Sequence, residues 1–336
     1  MKQQYWLSIC IAVYNEGKAI YDKISDLLNK SPDWIQVVVS DNASEDDTVF
    51  WLRQIADERL KLVCNSQNRG PTYNYVNALR EGEGRYLMFM TDKDMLQTEY
   101  LPAFRELLEE SSAKTGFVSL NFEAPENSIR LYKQGRDAVV HVGYLSKHPT
   151  GYFYERECFR KIAELERFEN VNMVGYFPFE FLCAEIACMG NAAEIKLPLL
   201  VTAKLSGRRE ESKTYSEDGK NLFFNPEKRY DLMLKCMRHL DTLPLKKHEK
   251  KAVRRKIYKK YWFLAVAMWA EYKKDALVCE HYRMKREVLS GKEKIAIAER
   301  FMCDFNKDTG RGYYAWSKGQ ILKMKLKESL RTILHG

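Results

Sequence analysis

The chain has 336 residues, and 45% of them are hydrophobic, so it can bury the cores of about two domains. Its formal net charge is +9, yet no apolar run approaches the ~20 residues of a membrane span, and the N-terminus lacks the pattern of a signal peptide. Eight scattered cysteines without a CxxC pair are typical of reduced thiols rather than a zinc site. These features exclude an integral membrane protein, and we expect a soluble, cytoplasmic one.

Four short apolar runs in the first third of the chain predict β-strands, because each is rich in β-formers and bounded by polar residues. The runs are Leu7–Val13, Ile35–Val39, Leu60–Cys64 and Tyr86–Met90. Apolar residues at helical spacing follow the first two runs, and Ser44 with Asp47 resembles a capping box that opens the second helix. Alternating strands and helices predict a mainly parallel sheet with helices on both faces.

Polar side chains stand where several of these strands end. Asp41 follows the second run, Asn68 follows the third, and Asp92 and Asp94 follow the fourth. Ligands of such sheets bind outside the carboxyl ends of the strands. Two carboxylates there can bind a divalent cation that holds a phosphorylated ligand, although an Asp after a strand can also simply start a turn. Several polar residues at one edge favour the binding site.

Four segments resemble, in order and at workable spacing, the motifs of family 2 glycosyltransferases, which have the GT-A fold. The segments are Ser8–Glu16, Val37–Asp46, Asn68–Leu79 and Gly84–Asp94, the last carrying the DxD motif. The resemblance is dense over residues 7–101 and thins afterwards. It implies an α/β fold with a Rossmann-like, mixed but mainly parallel sheet, and a nucleotide-sugar donor.

The same resemblance implies that the loops after the first three strands bind the nucleotide. Asp41 would hydrogen-bond the base, and Glu16 would lie near the ribose or the base. Further residues expected along the donor are Ala12, Tyr14 and Asn68.

At the fourth strand, Asp92 and Asp94 would hold the diphosphate through a Mg or Mn ion, which offsets the charge developing on the leaving group. Mg needs only one or two protein carboxylates besides phosphate oxygens and water, which suits a two-Asp motif. Lys93, between them, is a further candidate donor contact. Strand alternation would turn it the other way, as a solvated or paired lysine.

The resemblance also implies inversion at the anomeric carbon, which requires a general base. The family usually places this carboxylate at a helix start about ten residues before a glycine; Glu180 fits this, with Gly190 beyond, and Glu185 is the alternative. Phe179 replaces the first residue of the usual acidic pair. The helix dipole alone would also favour a carboxylate at position 180.

Two later segments carry further candidates. Residues 149–154 resemble the family's strand beneath the donor sugar, where Gly151 would let the backbone approach the ligand; His148 just before it could contact the acceptor or a phosphate, or be structural. Residues 205–214 are polar and basic, which predicts a mobile loop. Arg208 or Arg209 in this loop could fold over the diphosphate, because arginine suits phosphate recognition.

Charge divides the chain near Leu243. Residues 245–336 carry about +14 and residues 1–244 about −5. We expect a catalytic domain over residues 1–205, a mobile loop and linker helix over 206–244, and a basic helical domain over 245–336. Its basic amphipathic helices fit an anionic membrane surface or an acidic polymer, but equally a packed helical domain with a solvated basic face. No nucleic-acid module accompanies the charge.

The resemblance therefore implies a metal-dependent, inverting glycosyltransferase of bacterial surface-polysaccharide synthesis. It would transfer a sugar from a nucleotide-diphosphate sugar, such as a UDP-sugar, to a glycan or lipid-linked acceptor, in the cytoplasm or at the inner face of the membrane, and it could form an oligomer. A sugar-phosphate nucleotidyltransferase remains an alternative, although a Gly-rich, Arg-containing loop for a triphosphate is missing. An inactive glycan-binding or scaffold protein is the other, disfavoured by intact Asp41, Asp92 and Asp94.

Overall fold

The computed structural model describes residues 5–119, 127–145, 147–202, 222–309 and 313–335. The chain divides into two compact units. The first unit comprises residues 1–203 and 241–250, and the second unit comprises residues 204–240 and 251–336. The three-part division expected from the sequence remains a prediction.

The first unit contains a sheet of eight strands in its described part, and a separate strand pair. In chain order the strands are β1 (Leu7–Val13), β2 (Ile35–Asp41), β3 (Leu60–Cys64), β4 (Tyr86–Thr91), β5 (Met95–Leu96), β6 (Thr115–Ser119), β7 (Ser128–Tyr132), β8 (Tyr152–Glu155), β9 (Ala192–Lys196) and β10 (Leu200–Val201). The order in the sheet is β3-β2-β1-β4-β8-β6-β9-β7, and β10 pairs with β5 separately.

Strands β1 to β4 are parallel to one another, as the sequence predicts. β8 runs antiparallel to both of its neighbours, β4 and β6, and β7 runs antiparallel to β9. The sheet is therefore mixed and mainly parallel, which confirms the predicted fold class. The four apolar runs coincide with β1 to β4 to within two residues at each end.

Short helices connect these strands. They are α1 (Gly17–Lys30), α2 (Thr48–Leu52), α3 (Pro71–Arg80), α4 (Leu101–Ser111), α5 (Arg136–Val142), α6 (Arg156–Arg160), α7 (Val171–Val174) and α8 (Phe179–Ala187). The apolar residues of α1 and α4 pack with Ile9 and Ile11 of β1 in the main core. On α3, Asn74 and Asn77 form hydrogen bonds with Ser40 Oγ. Because side chains alternate between the two faces along β2, Ser40 points to the face opposite the main core. Helices thus cover both faces of the sheet.

The capping box predicted at Ser44 and Asp47 is wrong. The N-cap of α2 is Asp47, whose side chain caps no backbone N–H and instead accepts a hydrogen bond from Trp51 Nε1 at 2.6 Å. Ser44 Oγ is engaged elsewhere, because it donates to Asp41 Oδ1 at 2.5 Å. Ser44 therefore stabilises the turn after β2 and does not cap α2.

The described part of the second unit is helical. The remaining helices are α9 (Pro226–Thr242), α10 (Lys247–Phe263), α11 (Trp269–Lys274), α12 (Ala276–His281), α13 (Gly291–Thr309) and α14 (Tyr314–His335), with a π-helical segment at Leu264–Met268. Buried Tyr258 stands among the rings of Phe301, Phe305 and Tyr313, and its hydroxyl lies 2.5 Å from Ser317 Oγ.

In the described ranges of the chain, none of the helices combines the length and the apolar character that crossing a bilayer requires.

Candidate active site

The parallel strands β2, β1 and β4 end side by side at one edge of the sheet. In the strand register Val13 lies opposite Asp41, and Ala12 lies opposite Thr91. The turns that follow these three strands therefore meet at this edge, where ligands of such sheets bind. The structure thus brings together Asp41 and the Asp92–Asp94 turn, which are far apart in the chain.

The turn after β1 is tied to the turn after β2. Asn15 adopts a left-handed conformation with φ of 55°, and its backbone N–H donates to Ser44 Oγ at 2.9 Å. The backbone N–H groups of Glu16 and Gly17 both donate to Thr48 Oγ1, at 2.9 and 2.7 Å. These bonds fix the backbone that follows Ala12 and Val13. Tyr14, predicted to line the nucleotide pocket, is exposed at the start of this turn.

Asp41 ends β2 and is only 1% exposed. Its carboxylate accepts hydrogen bonds from the backbone N–H of Ser44 at 3.0 Å and from Ser44 Oγ at 2.5 Å. Because a carboxylate offers about four lone-pair sites, these two bonds orient Asp41 and leave acceptor capacity for a ligand. Asp41 therefore has a fixed orientation at the edge.

Asn68 braces the loop after β3. Its Oδ1 accepts hydrogen bonds from Asn42 Nδ2 at 2.7 Å and from the backbone N–H of Gly70 at 2.9 Å. Asn42 Oδ1 in turn accepts from the backbone N–H of Arg69 at 3.1 Å. The structure therefore gives Asn68, an expected donor contact, a definite role in ordering this loop.

Asp94 is held by three side chains. Its Oδ2 accepts from Thr91 Oγ1 at 2.6 Å and from Thr150 Oγ1, and it lies 2.5 Å from His148 Nε2. Burial alone would raise the pKa of Asp94, but these hydrogen bonds and the charge of His148 hold its pKa well below the usual range. Asp94 is therefore an ionised carboxylate in a fixed position, and His148 contacts it directly.

Asp92, Lys93 and Asp94 form a turn, because β4 ends at Thr91. Strand alternation therefore does not govern where Lys93 points.

Glu16 lies beside Asp92. Burial, a hydrogen bond with Asp92 and the negative charge of Asp92 raise the pKa of Glu16 to about 8. The sequence placed Glu16 near the ribose or base, whereas its contact in the structure is the first Asp of the DxD turn. Two carboxyl groups in hydrogen-bonding contact must share a proton or a cation, because two bare carboxylates would repel each other.

Lys23 is a site residue that the sequence analysis missed. From α1 its ammonium group donates to the backbone carbonyl oxygens of Thr91, at 3.2 Å, and Asp92. Burial lowers the pKa of Lys23 to about 8, although the charges of Asp92, Asp94 and Glu16 act in the opposite direction. A sequence signal existed: Lys23 occupies a position in the apolar stripe of α1 that a hydrophobic residue would normally fill.

Glu180 is buried in the first turn of α8. The ring of the preceding residue, Phe179, stacks on the ring of Tyr152 with centroids 6.0 Å apart. Burial first, and then the charge of Glu180, raise the pKa of Tyr152 well above its ordinary value. Tyr152 begins β8, directly after the residues that hold Asp94. β8 thus connects the Asp94 cluster with Glu180.

Glu185, the alternative general base, is engaged in an ion pair. Its Oε1 contacts the guanidinium group of Arg167, and its side chain is largely buried. This ion pair ties Glu185 to the segment that precedes α7. Which of the two carboxylates acts as the base stays a prediction.

The structure explains Gly151 by its protein neighbours. Its φ is 95°, and a Cβ atom at this position would lie 2.5 Å from Leu200 Cδ1. Its backbone N–H donates to the carbonyl oxygen of Phe89 at 3.0 Å, which joins the segment to β4. A side chain is therefore excluded here by the backbone conformation and by packing.

Arg208 and Arg209 lie outside the described residues. Across the parts of the chain that the structure describes, there is no cluster of three or more His, Cys, Asp or Glu side chains able to hold a metal ion on its own. Any cation at the DxD turn would therefore need oxygen atoms from a ligand or from water.

Residues 8–173 match the family model "Glycosyl transferase family 2". Over 202 residues the chain is 24% identical to "Succinoglycan biosynthesis protein ExoO" of Rhizobium meliloti (strain 1021), which covers 56% of this chain and 57% of that protein. Over 88 residues it is 31% identical to "UDP-Glc:alpha-D-GlcNAc-diphosphoundecaprenol beta-1,3-glucosyltransferase WfaP" of Escherichia coli, covering 26% of this chain and 35% of that one. The chain thus spans about a third to just over half of the length of these curated relatives.

Among solved structures, the chain resembles "Crystal structure of S. aureus TarS 1-349 in complex with UDP-GlcNAc". The TM-score is 0.56 at 15% identity, and the alignment covers 95% of this chain and 92% of that one. At this identity the likeness concerns the fold alone. Together with the family match and the site at the sheet edge, it means that the chain contains a glycosyltransferase family 2 domain with the GT-A fold.

Proposed function

We propose that the protein transfers a sugar from a nucleotide-diphosphate sugar to a hydroxyl group of a glycan or lipid-linked acceptor, in the synthesis of a bacterial surface polysaccharide. The observation that carries this proposal is the meeting of Asp41, Asp92 and Asp94 at one edge of the sheet, where β2 and β4 flank β1. The names of the two relatives, a succinoglycan biosynthesis protein and a glucosyltransferase with a diphosphoundecaprenol acceptor, support the same class of reaction.

The donor is expected to carry a uridine diphosphate. Asp41 is oriented by Ser44 and can accept a hydrogen bond from an N–H group of the base. One relative is named for UDP-Glc, and the TarS structure was determined with UDP-GlcNAc, which supports uridine over the other bases. Tyr14 and the ordered loop at Asn68 would line the nucleotide, and Arg208 or Arg209 would fold over its phosphates.

The residues after β4 suit a divalent cation, Mg or Mn. Asp92 and Asp94 would hold it, with Glu16 beside Asp92, because carboxylate oxygens are the donors that these hard cations prefer. When bound, the cation would offset the negative charge that develops on the departing diphosphate. The hydrogen bonds from Thr91, His148 and Thr150 keep Asp94 ionised and in place for this task.

Glu180 is proposed as the general base of an inverting displacement. It would accept the proton of the acceptor hydroxyl as that oxygen attacks the anomeric carbon. Its position next to Tyr152, at the start of the strand that follows the Asp94 cluster, supports this role. Glu185, whose carboxylate pairs with Arg167, remains the alternative base.

The acceptor side is proposed to involve an anionic membrane surface. Leu322, Leu326 and Leu330 form a stripe on α14, and their exposed fractions are 59%, 57% and 59%. Exposed Lys323 and Lys327 lie next to this stripe. Apolar residues flanked by lysines suit the boundary between acyl chains and anionic headgroups, whereas the lysines would repel one another in a pair of such helices.

Donor hydrolysis and sugar transfer, measured with UDP-, dTDP-, GDP- and CDP-sugars, test the proposal. Asp92→Asn should lower kcat/KM for the preferred donor by at least about 100-fold, because the cation that offsets the charge of the diphosphate loses a carboxylate ligand. Asp22→Asn is the matched control, since Asp22 is exposed on α1 and pairs with Lys18 at 2.6 Å. Full activity of Asp92→Asn in EDTA would refute the metal site.

A further inference from the structure

A cavity of about 690 Å³ opens in the second unit, separate from the candidate active site. It lies within the size range of small-molecule binding sites. Three aromatic side chains, Tyr230, Trp269 and Phe301, line it together with charged groups. None of these residues belongs to the nucleotide edge of the sheet.

The aromatic side chains of the cavity are fixed by their neighbours. The rings of Tyr230 and Phe301 pack edge to face with centroids 5.2 Å apart. The Tyr230 hydroxyl donates to Asp308 Oδ2 at 2.5 Å, and the Trp269 ring lies 6.1 Å from the ring of Phe224. Because these rings are already held in place, they can cover the apolar face of a sugar ring without a further loss of side-chain entropy on binding.

Four cationic side chains also line this cavity, and two of them pair with carboxylates. Lys273 pairs with Glu287 at 2.9 Å, and Arg300 pairs with Glu227 at 3.0 Å and with Asp304 at 3.7 Å. Arg283 and Lys285 make no ion pair or side-chain hydrogen bond with any residue in the described ranges. Among the described residues, the cavity therefore offers a guanidinium and an ammonium group without an acidic partner.

The segment that carries these two cations is anchored. Arg283 has a left-handed backbone with φ of 51°, a conformation that is unfavourable for a non-glycine residue. Lys273 Nζ donates to the carbonyl oxygen of Lys285 at 3.0 Å. The backbone N–H of Met284 donates to the carbonyl oxygen of Cys279 at 2.8 Å. The turn thus holds both side chains at the cavity despite the local strain.

We infer that this cavity binds a sugar residue that carries a phosphate or carboxylate group, as part of the acceptor glycan. The rings of Trp269 and Tyr230 cover the sugar, and Arg283 and Lys285 bind its anionic group through charge-assisted hydrogen bonds. The assignment of this sugar to the acceptor rests on the proposed function. The cavity then selects acidic acceptors.

Isothermal titration calorimetry on the full chain tests this inference. The probes are glucose 1-phosphate, glucuronic acid, glucose and inorganic phosphate. We expect saturable binding of the two acidic sugars, at least about tenfold tighter than that of glucose or phosphate, because only they engage both the rings and the cations. An oligosaccharide of glucuronic acid should bind more tightly than the monosaccharide if the ligand is a chain segment rather than a free sugar acid. Equal binding of oligosaccharide and monosaccharide would overturn the acceptor assignment.

The variant Arg283→Gln/Lys285→Gln should weaken binding of both acidic sugars by at least about tenfold. Its control is Lys251→Gln/Lys292→Gln, which removes the same charge from exposed positions outside the cavity. Equal loss in both variants, or equal binding of phosphate and glucose 1-phosphate, would overturn the inference. UDP-sugar hydrolysis should be the same in all variants, so failure of the cavity and failure of the proposed transferase are distinguishable.

Discussion

At the residue scale, the two aspartates of the DxD turn differ in environment. Asp94 is 2% exposed and accepts hydrogen bonds from Thr91 and Thr150, whereas Asp92 is half-buried and faces Glu16. Asp94 therefore fixes the turn, and Asp92 is the carboxylate better placed to meet a ligand. The distinction follows from the neighbours, because both residues are the same acid one position apart.

Lys23 offers a test of how this turn is held. Lys23→Met removes the donor to the carbonyl oxygens of Thr91 and Asp92 and the positive charge beside the carboxylates. We expect the free energy of unfolding in EDTA to fall by about 1–3 kcal/mol. Urea denaturation measures it.

Lys18→Met on the same helix is the control, because Lys18 is exposed and contacts the side chains of Asp22, Tyr21 and Trp51. Its effect should stay within about 0.5 kcal/mol. A Lys23→Met variant as stable as the parent protein would show that the buried ammonium does not support the turn.

Part of this site could be predicted from the sequence. The sequence indicates Asp41, Asp92 and Asp94, because each follows an apolar run. The register of the parallel strands then places the ends of these strands side by side. Lys23 and Thr150 could not be located in this way, since Lys23 contacts a turn 68 residues further along the chain. Such contacts depend on how helices and strands pack, which local periodicity does not encode.

At the element scale, the resemblance implied a strand at residues 149–154, but the sequence did not indicate the position of β8 in the sheet. The pattern of strands and helices predicts the parallel neighbours β1 to β4, but β8 inserts antiparallel between β4 and β6. Its position decides where Thr150, His148 and Tyr152 lie. Strand order of this kind is set by long-range pairing and is invisible to local patterns.

The end of β8 gives a pH-dependent prediction. Burial would raise the pKa of Glu155, but hydrogen bonds from Lys114 and Cys158 outweigh it, and the pKa is lowered. A carboxyl group whose pKa is lowered in the folded state stabilises the fold at pH values above its pKa in the unfolded state, which is about 4.3. This stabilisation is lost as the pH falls through the pKa of the folded state. Glu155→Gln should therefore lower the free energy of unfolding at pH 7 by about 1–2 kcal/mol.

The difference between Glu155→Gln and the parent protein should shrink toward zero below about pH 4. Urea denaturation at several pH values measures it, with Glu157→Gln as control because that side chain is 64% exposed. A difference of the same size at pH 7 and pH 3.5 would contradict the assignment of the Lys114 contact.

At the scale of the whole molecule, residues 8–173 of the first unit match the family 2 model. The expected membrane or polymer surface concerns the basic helices of the second unit. The sequence predicted the GT-A fold because its motifs coincide with strand ends. It gave no indication of the aromatic cavity beside Arg283, because the cavity forms between helices whose packing has no motif.

Vesicle sedimentation tests the proposed membrane surface on α14. The chain should bind vesicles that contain phosphatidylglycerol more tightly than pure phosphatidylcholine vesicles, and high salt should weaken this binding. Leu322→Gln/Leu326→Gln should weaken it by about tenfold or more, since two apolar side chains no longer enter the bilayer.

The control for this experiment is Leu277→Gln, because Leu277 is equally exposed but lies on α12. Loss of self-association in the double variant, without any change in vesicle binding, would mean that the stripe contacts a second copy of the chain instead.

The most direct test of the central claim is diffraction from crystals soaked with UDP and Mn²⁺, recorded at a wavelength where manganese scatters anomalously. The proposed function predicts an anomalous peak beside Asp92 after β4, with the diphosphate on the peak and the uracil near Asp41. A nucleotide bound elsewhere, or no peak at this turn at saturating UDP and Mn²⁺, would contradict it.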